Sequence, residues 1–100
     1  MRQDQPAASV KCLRVRIEGR VQGVGFRAWV ELNAKALGVD GWVRNRRDGG
    51  VEAVFSGDPH RLDDLLARCR SGPRSARVDM FRSFPEEPLT DKGFRVLATA

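Results

Sequence analysis

At 100 residues and 11.2 kDa the chain has the size of one small domain, and 41% hydrophobic against 31% charged residues fits a folded core rather than disorder. No apolar run approaches the roughly 18 residues of a membrane span, and residues 1–9 contain no hydrophobic block of the kind that makes a secretory signal. The 18 Lys+Arg against 13 Asp+Glu leave a net charge of +5, which suits either a nucleic-acid partner or the steering of small anions towards a site.

Residues 1–9 read as a flexible N-terminal extension, with 10–100 as a single domain. Leu13, Val15 and Ile17 alternate with Arg14 and Arg16, the period of a half-buried strand. Gly19-Arg20-Val21-Gln22-Gly23-Val24-Gly25 then places three glycines within seven residues. Glycine allows positive φ and close approach of a ligand to the backbone. A loop of this kind entering a helix aims several N–H groups at one point, which suits an anion; a plain strand-to-helix turn uses glycine in the same way. It is no dinucleotide fingerprint, because Ala28 stands where a final glycine is needed, and no Gly-Lys-Ser/Thr follows to make a P-loop.

Phe26, Val30, Ala34 and Leu37 recur at helical spacing, and Gly38 is placed to end that helix. Arg27 falls in its first turn, where a guanidinium fork can grip two phosphate oxygens. Gly41 to Asn45 reads as a strand with Trp42 as a packing residue, Asp48-Gly49 as part of a hairpin turn, and Val51 to Phe55 as the returning strand. Asp58 is a natural N-cap with Pro59 at the first helical position. His60, the one histidine, sits at that exposed helix start and is assigned no catalytic part. Leu62, Leu65, Leu66 and Cys69 form a second apolar stripe closed by Gly72-Pro73. Ala76, Val78 and Met80 alternate as a fourth strand, and Phe94 to Leu97 form a short last one. Cys12 and Cys69 lack metal-ligand spacing and read as small apolar side chains. The order β-α-β-β-α-β is the split βαβ arrangement of ferredoxin-like α+β sandwiches.

Two stretches carry more than secondary structure. Ile17 to Arg27 reads aliphatic-x-Gly-x-Val-Gln-Gly-Val-x-Phe-Arg, and Gly41 to Gly57 reads Gly-aromatic-small-basic-Asn-x-x-x-Gly-x-Val-x-x-x-x-x-Gly. Together they closely resemble the paired signatures of the acylphosphatase family, over roughly Leu13 to Val96. The resemblance implies a four- to five-stranded antiparallel sheet with both helices on one face. It implies hydrolysis of the carboxyl–phosphate bond of small acyl phosphates to a carboxylate and inorganic phosphate. Carried over by position, Arg27 binds the phosphate, Asn45 orients the attacking water, and the N–H groups of Arg20, Val21, Gln22, Gly23 and Val24 form the cradle. No metal and no cofactor is implied.

These residues suit that reaction. A carboxylate leaving group has a conjugate-acid pKa of about 4 and departs as an anion without a general acid. Accordingly neither motif contains histidine, cysteine or a paired carboxylate. Positioning and charge stabilisation are what remain for the protein to supply. The expected partner is a small anionic acyl phosphate, with no nucleic acid and no membrane, and the expected form is a cytoplasmic monomer. The same resemblance extends to domains at the front of large carbamoyl-transfer maturation proteins; no such downstream segment follows here, and a free-standing enzyme is expected.

The alternative is a non-catalytic ferredoxin-like module that binds phosphate or nucleic acid. RNA-binding versions present aromatic residues on the central strands, where this chain offers Phe55, Met80 and Arg14, and it has no tyrosine. Ala98-Thr99-Ala100 continue beyond the last strand, where some relatives stop, so no contact from the terminus to Arg27 is assigned.

Overall fold

The alternating apolar residues of the first strand, Val15 and Ile17, are fully buried, whereas Arg14 and Arg16 between them are only partly covered. The computed structural model describes residues 10–100; the expected extension at residues 1–9 lies outside them. The elements are β1 (Lys11–Arg20), α1 (Phe26–Ala36), β2 (Asp40–Asn45), β3 (Val51–Gly57), α2 (Pro59–Ser71), β4 (Arg77–Pro85) and β5 (Phe94–Val96). Helix α1 stops where Gly38 takes a φ of +68°. Helix α2 starts at Asp58, whose carboxylate accepts from the N–H groups of His60 and Arg61, with Pro59 in the first turn.

The strands lie in the order β4-β1-β3-β2-β5. The first four in sequence pair antiparallel, as expected. The fifth runs parallel to β2, with Gly41 opposite Phe94 and Val43 opposite Val96, so the sheet is mixed. One reversal of the chain between β4 and β5 gives β5 the direction of β1 and β2. One core joins Val15, Ile17, Val43, Ala53 and Phe55 of the sheet to Phe26, Val30 and Ala34 of α1 and Leu62, Leu65 and Cys69 of α2. Both helices therefore cover the same face. Burying a side chain such as Phe55 or Leu62 contributes about 1.5–3 kcal/mol.

Strand β4 departs from the expected alternation. Glu18 pairs with Met80 but Gly19 pairs with Val78, which leaves Asp79 as an extra residue in a bulge. One inserted residue moves every later side chain to the other face. Met80 is consequently exposed, and Phe81, opposite Ile17, packs against the core in its place.

Among the described residues the other face of the sheet carries no helix, and arginines and Glu52 cover much of it. Glu52, 7% exposed, accepts from Arg44 at 2.9 Å and Arg46 at 3.2 Å and lies 3.6 Å from Arg14. Trp42 packs on this open face, with the Arg44 guanidinium 4.8 Å above its ring, and Arg14 covers Phe84 at 4.8 Å. Phe55 lies on the helix side, stacked on Phe94. Among the described residues, no helix is long and apolar enough to cross a membrane.

Candidate active site

Strand β1 delivers the chain into the glycine loop, where Gly23 and Gly25 have φ of +73° and +78°. This left-handed backbone turns the chain directly into α1, and Gly25 becomes the helix N-cap. Glycine has no side chain with which to cap, and the first turn of α1 contains no acidic residue. The first bond of the helix runs from Trp29 N–H to Gly25 O at 3.0 Å. The N–H groups of Phe26, Arg27 and Ala28 thus have no partner within the helix. Helix α2, with its Asp58 cap, provides the contrast inside the same molecule.

A cavity of about 270 Å³ opens at the uncapped end of α1. The loop residues Val21, Gly23 and Gly25 form one wall, and the first turn, Phe26 to Ala28, forms another with Glu31. Asn45 at the end of β2 and Val96 of β5 close it. N–H groups without a partner in the helix, at the positive end of its dipole, favour an anion here. The Arg27 guanidinium adds a full charge to the same cavity. Arg14, Arg16, Arg44 and Arg46 are engaged with Glu52, Glu18 and Asp48, whereas Arg27 belongs to none of these pairs.

Of the residues singled out in the sequence, Arg27, Asn45, Val21 and Gly23 meet in this cavity. Arg20, Gln22 and Val24 do not line it. Arg20 stays in the ladder opposite Arg77, and the Val24 carbonyl accepts from Ser75 Oγ at 2.9 Å. The Gln22 side chain turns to the β2–β3 hairpin, where Nε2 donates to Arg46 O at 2.7 Å and Gly50 O at 2.8 Å. Beyond β5 the chain continues along β2: Leu97 N–H donates to Val43 O, Ala100 N–H to Asn45 O, and Arg47 N–H to Ala100 O.

Three contributions escaped the sequence reading. Glu31 stands one turn after Arg27, an i, i+4 spacing that places both on one helix face, and it pairs with Lys35 at 3.1 Å. Val96 reaches the cavity through the parallel pairing of β5 with β2, for which no local signal exists. The motif points to the backbone of Gln22, whereas its side chain carries the longer-range bonds.

The groups whose titration is clearly shifted lie outside the cavity. Asp48, in the turn after Asn45, is held below the ordinary carboxylate value, first by the Arg16 bond at 2.8 Å and then by Gly50 N–H. Burial pushes the Cys69 thiol up to about 12 and raises Cys12 as well. Neither cysteine lines the cavity, so no thiolate nucleophile is at hand. Among the described residues no group of three or more His, Cys, Asp or Glu is placed to hold a metal ion.

Comparison with known proteins places the chain in a family. The family profile of acylphosphatase matches residues 13–96. The chain is 62% identical over 71 residues to an acylphosphatase of Bradyrhizobium diazoefficiens, covering 71% of this chain and 72% of that one. It is 52% identical over 82 residues to an acylphosphatase of Nitrobacter hamburgensis, covering 82% and 83%. The solved structure of an acylphosphatase from Coxiella burnetii superposes with a TM-score of 0.88 at 32% identity, over 95% of this chain and 100% of that one.

Proposed function

The chain belongs to the acylphosphatase family and is a hydrolase; we propose that it cleaves small acyl phosphates in the cavity at the start of α1, with Arg27 holding the phosphoryl group and Asn45 orienting the water. The observation that carries this assignment is the helix start without a side-chain cap, with Arg27, which forms no ion pair among the described residues, in its first turn and Asn45 across the same cavity. The phosphoryl oxygens rest against the backbone N–H groups of the loop and first turn and against the guanidinium fork. The Asn45 amide accepts from the attacking water through its oxygen and donates to a phosphoryl oxygen through its nitrogen.

Water oxygen forms the new bond to phosphorus as the phosphorus–carboxyl oxygen bond breaks, and the bonding pair leaves on the carboxylate. Because that anion is a weak base, no protein acid is needed. The proton of the water passes to a phosphoryl oxygen, since an amide is no base. The apolar walls, Val21, Phe26 and Val96, lie where a small acyl group is accommodated.

The reading takes residues 10–100 as a single domain, working as a cytoplasmic monomer without a nucleic-acid partner. Two free cysteines suit a reducing compartment. The open sheet face is poorly prepared for bases, because Arg44 and Arg14 cover the rings of Trp42 and Phe84, and Glu52 engages Arg14, Arg44 and Arg46. The test is phosphate release from benzoyl phosphate, with phenyl phosphate as the ester control. Rapid release from the acyl phosphate alone is expected. No release, or equal release from the ester, overturns the proposal.

A further inference from the structure

Gln22 sits in the glycine loop, yet its side chain leaves that loop and spans to the β2–β3 hairpin. Its Nε2 has two hydrogens, and both are used: one bond of 2.7 Å to Arg46 O and one of 2.8 Å to Gly50 O. Two carbonyl acceptors admit only the nitrogen of the amide, which fixes its orientation. Arg46 and Gly50 are the two ends of the hairpin turn, joined to each other by Arg46 N–H to Gly50 O at 2.8 Å. Arg46 directly follows Asn45. The phosphate-holding loop and the hairpin that presents Asn45 are therefore tied by one side chain, across 24 and 28 residues of sequence.

The rest of the hairpin is anchored elsewhere. Gly50 N–H binds Asp48, Asp48 binds Arg16, and Glu52 holds Arg44 and Arg46, the two neighbours of Asn45, on the open face. These bonds shape the turn and seat it on the sheet. Among the described residues, the Gln22 amide is the side chain that bonds this turn directly to the loop that carries the phosphate. We propose that Gln22 is a positioning residue that fixes the separation between the bound phosphoryl group and the water oriented by Asn45, an inference that rests on the function proposed above. In-line attack is sensitive to that separation: a misplacement of about 1 Å can cost on the order of a hundredfold in rate.

The test uses Gln22→Met and Gln22→Glu in the full chain. Methionine keeps length and volume without a donor; the glutamate carboxylate faces two carbonyl oxygens and donates only when protonated. Steady-state hydrolysis of benzoyl phosphate, competitive inhibition by inorganic phosphate and melting temperature are measured on each. Gln22→Met is expected to lower kcat by about 10- to 100-fold, with KM and phosphate inhibition changed less than about threefold. Gln22→Glu is expected to fall at least as far at neutral pH and to regain kcat as the pH drops and its carboxyl protonates, a recovery absent from Gln22→Met.

Unchanged kcat in Gln22→Met overturns the inference while wild-type turnover upholds the proposed function. Equal losses in kcat and phosphate affinity also overturn it, since Gln22 would then hold the cradle itself. A wild type that releases no phosphate removes both. If a variant melts below the assay temperature, the same ratio of kcat to phosphate inhibition read at 10 °C on the folded protein decides.

Discussion

Alanine at Gly19 and alanine at Gly23 separate two reasons for glycine within one motif. Gly23 has a φ of +73°, and a Cβ there would meet nothing within 4 Å. Its replacement incurs only left-handed backbone strain, about 1–2 kcal/mol. At about 4–8 °C per kcal/mol for a domain of this size, the melting temperature falls by about 4–16 °C. Gly19 has a φ of +134°, and its Cβ would lie 2.2 Å from Arg77 O and 2.8 Å from Asp79 N, inside the 3.0 Å that real Cβ atoms keep. Both obstacles are backbone of β4 at its bulge, so β1 and β4 must separate locally.

Overpacking of about 1–3 kcal/mol then adds to backbone strain of about 1–3 kcal/mol. The total, about 2–6 kcal/mol, is a large part of the 5–15 kcal/mol that typically holds a domain together. Activity should move the other way. Gly23 lines the cavity and Gly19 does not, so folded Gly23→Ala loses kcat/KM about tenfold or more while Gly19→Ala, assayed cold and folded, keeps most of it. Urea denaturation and phosphate release on both variants make the comparison. Equal stability losses, or Gly23→Ala as the less stable of the two, would refute the reasoning.

Arg27→Ala should cut kcat/KM by at least about 10²-fold and weaken phosphate inhibition while the melting temperature holds; Arg27→Lys should recover little, because one ammonium cannot replace a bidentate fork. Turnover should persist unchanged in excess EDTA, as no ligand cluster is present among the described residues; loss restored by a divalent ion would show the site to be misread. The Asp48 carboxyl is held below its ordinary value by Arg16. A depressed folded value stabilises the fold fully above the unfolded pKa of about 3.9 and loses that contribution as pH falls through the folded value. The melting-temperature gap between wild type and Asp48→Asn should therefore be present at pH 5 and close towards pH 2, and Arg16→Gln should raise the Asp48 midpoint, read by NMR, towards the ordinary range, with the Gly50 N–H bond still holding it down.

Much of this was legible because local physics dominates. Period two over Leu13 to Ile17, the Phe26-Val30-Ala34 stripe and the Asp58-Pro59 start all became the elements they predict. Arg27 and Asn45 were placed by motif, and the cavity that unites them is built by the split βαβ crossing that the element order implies. What was hidden depends on partners distant in sequence. The bulge at Asp79 is a property of the β1–β4 pair, so Met80 looked like core when Phe81 takes that side. Trp42 has no local mark of which sheet face it joins, and Val96 reaches the site only once β5 adds to β2. Backbone motif residues read alike in sequence, whereas Arg20 stays in a strand ladder and Gln22 crosses to the hairpin.

The central claim, a division of labour between Arg27 and Asn45, is tested most directly on Asn45→Ala, with kcat, phosphate inhibition and melting temperature taken from one preparation. If Asn45 acts as proposed, mainly in the transition state, kcat should fall by several orders of magnitude, with kcat/KM falling alongside it and phosphate inhibition nearly unchanged. A variant that melts lower yet retains near-normal kcat while folded would contradict this, and would reduce Asn45 to a residue that shapes the turn.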